Sequence, residues 1–116
     1  MKFRSIFLFL SSAMFVIGIS QSARAADVWV SPVHITRVYP QADGSVVLTV
    51  DNDNNSCTNA STPKYYQITV GQNGVTADGL KNMLATALAA FAMNKTVSIN
   101  ISDSTSSCFV NRLFVQ

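Results

Sequence analysis

The groups in this chain that could carry chemistry are few: one histidine, six aspartates, two cysteines and no glutamate. His34 stands between Val33 and Ile35 in an apolar run, with no nucleophile placed beside it by spacing. A general base needs such a nucleophile and a group that orients it, so the sequence reads His34 as a strand residue. The serines occupy no nucleophile-elbow context, and the aspartates (27, 43, 51, 53, 78 and 103) are scattered, with no pair set on one face for acid and base roles. The segment "DNDNN" offers Asp51, Asp53 and Asn55 at the first, third and fifth places of a calcium loop. Ser56 then stands where the loop needs glycine and Thr62 where it needs a bidentate glutamate, so the segment reads as a polar loop. With one histidine and both cysteines expected in a bridge, no transition-metal set can be assembled. The expectation is a protein that is not an enzyme and takes no cofactor and no metal.

The elements that must position any binding group begin after residue 25. "MKFR" is a basic start, "SIFLFLSSAMFVIGIS" an apolar run, and Ala23 and Ala25 form the small-x-small pattern of a cleavage site. Residues 1–25 are therefore expected to be a signal peptide and residues 26–116 a single small domain, secreted or periplasmic, with no transmembrane segment after cleavage. Five basic residues then face six aspartates, a net charge of −1. No basic stripe remains to neutralise phosphates, which argues against nucleic acid as a partner. Export also places Cys57 and Cys108 in an oxidising compartment, where two cysteines are expected to form a disulfide.

Along residues 26–116 the hydrophobic period changes four times. Val33, Ile35 and Val38 mark a first strand, and Val46, Leu48 and Val50 a second, with Pro40 and Asp43-Gly44 turning between them. After the polar stretch 52–63, "KYYQITV" reads as a third strand with Tyr66, Ile68 and Val70 on one side. Thr76 is a helix cap, and Val75 and Leu80 form its hydrophobic staple. Leu80, Met83, Leu84, Ala87, Leu88 and Phe91 follow as a core stripe, and Asn94 is the left-handed residue that ends the helix. Val97, Ile99 and Ile101 alternate as a fourth strand, and "CFVNRLFVQ" forms a fifth. The fold class expected is mostly β with one helix, in the order β-β-β-α-β-β, closed as a five-stranded OB-fold-like barrel. The second helix face, Ala85, Ala89 and Ala92 with Thr86 and Met93, carries almost no charge, and Ala85 and Ala89 are candidates for contact with another copy, giving a homo-oligomer. Four N-x-S/T sequons fall at Asn54, Asn59, Asn94 and Asn100.

Two stretches, "SPVHIT" (31–36) and "ALAAFAMNKTVSI" (87–99), resemble the OB-fold B subunits of bacterial AB5 toxins, especially subtilase-cytotoxin B-like proteins. The resemblance implies a ring of subunits with central helices, and a non-catalytic surface for sialylated glycans. By position it makes Ser31 a glycan contact, and it sets Ile101 where those proteins carry an aromatic contact. The bridge also differs, being long-range here. A protein ligand in place of a glycan fits the same binding reading, and the other reading of the sequence is a monomeric secreted or periplasmic domain with a structural or inhibitory role and an unknown ligand.

Overall fold

The computed structural model describes residues 27–116; the expected signal peptide and the cleavage point before Ala26 lie outside them. Five strands, β1 (Asp27–Pro40), β2 (Val46–Val50), β3 (Tyr66–Ile68), β4 (Thr96–Ser102) and β5 (Val110–Val115), form one antiparallel sheet in the order β3-β2-β1-β4-β5. One helix, α1 (Ala77–Ala92), packs against β1 and β5. Among the described residues no helix is long and apolar enough to cross a membrane.

β1 is the hinge of this arrangement, because its first half pairs with β4 and its second half with β2. Val30 and Val33 both enter the core, although an offset of three would put them on opposite faces of a regular strand. The register shift between them absorbs the extra residue at Ser31-Pro32, and a second shift between Ile35 and Arg37 does the same before Val38. The strand can thereby bend around a single core built from Leu48, Tyr66, Ile68, Val97, Ile99, Ile101 and Val110.

The sheet does not close into the expected barrel. β3 is only three residues long, and Val70, expected on its core side, is half exposed where the chain turns through Gly71, Asn73 and Gly74, all at positive φ. No backbone is left there to ladder with β5, so β3 and β5 remain edges. Side chains join them instead: Asn73 Nδ2 donates to the Phe109 carbonyl at 2.8 Å, and Asn111 Nδ2 donates to the Asn73 carbonyl at 2.7 Å.

The ends of α1 are set by local chemistry. Thr76 Oγ1 accepts the Gly79 N–H at 3.0 Å, and Val75 and Leu80 are both buried beside it. At the other end Lys95 N–H reaches the Ala90 carbonyl and Asn94 N–H the Phe91 carbonyl, with Asn94 at φ 51°, which is a Schellman ending. The core stripe is narrower than expected. Leu80, Ala87 and Ala90 are buried and Met83 and Leu84 half-buried, whereas Leu88 and Phe91 are 47% and 48% exposed. The small side chains Ala87 and Ala90 let the helix axis approach the sheet, which rotates the two larger residues outward.

Cys57 and Cys108 form the expected disulfide, with sequence separation 51 and both residues fully buried. Closing a loop of that length removes unfolded-state entropy equivalent to about 4 kcal/mol.

These burials set an order of stability effects. Ile99→Ala is expected to cost about 2–5 kcal/mol in urea unfolding, and Leu88→Ala, measured on monomer at low protein concentration, to stay within about 0.5 kcal/mol. Equal losses in the two variants would show that the helix presents its leucine inward after all.

Candidate functional site

β1 leaves one edge free between Asp27 and Val33, because β2 pairs only with its second half. The loop after β2 folds against that edge and is built from side-chain hydrogen bonds. Asp51 accepts the His34 backbone N–H at 2.9 Å and meets His34 Nδ1 at 3.0 Å. Asp53 accepts the Tyr66 hydroxyl at 3.0 Å and the Lys64 N–H at 3.1 Å. Asn54 donates from Nδ2 to the Trp29 carbonyl at 3.1 Å, its own N–H is bonded to the Tyr66 hydroxyl oxygen, and its Oδ1 accepts the Ser56 N–H in an Asx turn. Buried Asn59 donates to the Ser106 carbonyl, beside the disulfide. The segment that fails as a calcium loop is thus an ordered wall, and among the described residues no His, Cys, Asp and Glu group could hold a metal.

Between this wall and β1 lies an open cavity of about 90 Å³ lined by Trp29, Val30, Ser31, Val33, Asn52, Asp53 and Asn54. Ser31, the residue singled out by sequence, lines it and is exposed. Its hydroxyl is hydrogen-bonded to that of Ser98, and Gln116 Nε2 donates to Ser98 Oγ at 2.6 Å and to Ser31 Oγ at 3.2 Å. Ile101 is fully buried in the core, so no ligand contact can come from that position. The exposed aromatic of the site is Trp29, which the sequence reading passed over.

Trp29 belongs to a cross-strand row that the register alone reveals: Trp29 of β1 faces Asn100 of β4, which faces Arg112 of β5. The Arg112 guanidinium lies 5.4 Å from the centre of the indole, and Phe114 meets the same ring edge-on at 5.7 Å. Trp29 is 42% exposed, but Asn100 beneath the row is fully buried, and neither atom of its amide has a hydrogen-bond partner among the described residues. An unsatisfied buried polar group costs about 1–3 kcal/mol. The signal available in the sequence was alternation: Asn100 lies between Ile99 and Ile101, both core residues, and so belongs to the opposite face of β4.

The His34–Asp51 contact is the only close pairing of a basic with an acidic side chain found among the described residues. The His34 backbone N–H and, after it, the imidazole hold the Asp51 carboxyl below its ordinary value. This contact contributes stability above the usual carboxylate range, and that contribution is lost as pH falls through the lowered value. Asp51 gives His34 an orienting partner that spacing did not reveal, but among the described residues no hydroxyl or thiol is bonded to the other ring nitrogen. Of the sequon residues, Asn59 and Asn100 are buried and Asn54 is spent on the Trp29 carbonyl, which leaves Asn94 exposed. Ala85 and Ala89 are both exposed and adjoin Leu88, Phe91, Ala92 and Met93.

A scan of protein-family models finds none that matches the chain, and a search of curated proteins finds no match.

Burial, followed by the nearby Asp53 charge, pushes the Tyr66 phenol up to about 12. Its raised value makes stability fall as pH rises from about 10 towards 12, since the unfolded phenol ionises first. In an absorbance titration Tyr66→Phe is expected to remove an ionisation step near pH 12. That variant is also expected to lose about 1–3 kcal/mol, because the Asn54 N–H and Asp53 Oδ1 forfeit their shared partner. A single ionisation step near the ordinary tyrosine value would contradict this placement.

Proposed function

We propose that the chain is a secreted or periplasmic non-catalytic binding module of toxin-B-subunit type, an OB-like fold that recognises a glycan at the Trp29–Ser31 cavity. The observation that carries this reading is the composition of the cavity. Its lining is almost wholly polar, with a hydroxyl, an amide and a carboxylate from Ser31, Asn52 and Asp53 beside Trp29. Hydroxyl, amide and carboxylate groups brought together in this way take the hydroxyls of a pyranose. The long, twice-shifted β1 shared by both halves of the sheet, and the Asn73 bridge between the β3 and β5 ends, favour the OB-like description.

The helix supports assembly as part of the same reading. Leu88, Phe91 and Met93 are 47%, 48% and 58% exposed beside Ala85 and Ala89, an apolar surface that a second copy of the chain would cover. Ala89→Glu places an unpaired charge in that contact and is expected to shift the protein towards monomer in sedimentation. Wild-type protein that sediments as a monomer at high concentration would defeat the assembly.

Glycan-array binding tests the recognition itself. Hits are expected for residues 26–116, with Ser31→Ala weakening them about tenfold and Trp29→Ala abolishing them. A folded wild-type protein with no hit would favour the monomeric structural or inhibitory domain.

A further inference from the structure

Asn100 is the cross-strand partner of Trp29, which lines the cavity. Both of its polar atoms are empty, although the residue is fully buried in a sheet whose neighbouring polar side chains are partnered: Ser98 with Ser31 and Gln116, and Ser102 with Ser104. Its cover is loosely held. Trp29 and Phe114 are nearly half exposed, Arg112 is exposed, and among the described residues Arg112 has no acidic partner, only the indole face. The cover can therefore move without breaking a buried ion pair or a hydrogen-bond ladder.

We infer that Asn100 is the recognition group of a second subsite, opened by displacement of the Trp29 ring, for the acetamido group of a neutral N-acetylated sugar. This rests on the glycan reading above and names the sugar class. A primary amide with donor and acceptor both unmet is matched by a ligand that presents N–H and C=O side by side, as a secondary amide does. A carboxylate would satisfy Nδ2 but set its negative charge against Oδ1. The acetamido methyl would lie against Trp29 and Phe114, and the sugar ring would extend past Ser31 into the cavity beside Asn52 and Asp53. Asp53, the one charged residue of the cavity lining, further disfavours an acidic sugar there.

The chain contains a single tryptophan, so its fluorescence reports on the Trp29 ring itself. Titration of the protein with N-acetylglucosamine and N-acetylgalactosamine is expected to shift the emission, with glucose, galactose, glucuronate and acetyllysine about tenfold weaker or silent. Asn100→Leu keeps a side chain of similar size and removes the empty amide. It is expected to raise the thermal midpoint and weaken the N-acetylated sugars to the level of glucose. Arg112→Gln takes the cation off the indole and is expected to bring the response to lower sugar concentration. This second variant decides the matter should Asn100→Leu not fold, and an unchanged midpoint of titration in it would then overturn the proposal. Equal binding of glucose and N-acetylglucosamine, stronger binding of glucuronate or acetyllysine, or an unaltered response in Asn100→Leu would overturn the Asn100 subsite while leaving the glycan reading in place. Silence towards every sugar, here and on the array, would overturn both.

Discussion

The Cys57–Cys108 bridge secures the part of this fold that backbone ladders do not reach. From Asp51 to Tyr65 the chain contributes no strand and no helix, yet it forms one wall of the cavity and supplies the partners of Tyr66 and His34. A segment of that length would ordinarily be mobile. Here the disulfide ties its middle to the turn before β5, and the Asx-type bonds of Asn54 and Asn59 shape the chain on either side. In a small domain with a limited core, the contribution of the bridge is comparable to that of several buried side chains.

With the loop fixed, β1 determines what faces it. Its two register shifts allow one strand to serve two partners, and the first of them is also what places Ser31 at the cavity while Val30 and Val33 point into the core. The outer face of β1, β4 and β5 then assembles Trp29, Asn100, Arg112, Ser98 and Phe114 from three strands. Packing thus uses one face of these strands, and the unmet Asn100 amide is a cost borne on the other.

What the sequence made legible was local, and what it concealed was not. The Thr76 cap, the Val75–Leu80 staple and the Asn94 ending each depend on residues within one helical turn, and each is present. The helix stripe was misjudged at Leu88 and Phe91 because periodicity ranks residues by size and apolarity. Packing instead chose the alanines that permit close approach. Closure of the barrel could not be judged from alternation through Val70, since the turn at Gly71 to Gly74 decides where β3 stops. Ser31 was reached by resemblance, whereas Trp29 and Arg112 become neighbours of Asn100 only through cross-strand register.

Amide hydrogen exchange at Asn54, Ser56, Cys57 and Lys64 tests whether the loop is a fixed wall, since each of these N–H groups has an acceptor within the loop or on Tyr66. In the oxidised protein their exchange should be slowed well below that of an open chain. In the Cys57→Ser, Cys108→Ser double variant it should accelerate strongly while the amides of β4 stay protected. Rapid exchange at these four positions in the intact protein, or protection that survives loss of the bridge, would contradict a cavity wall held by the disulfide.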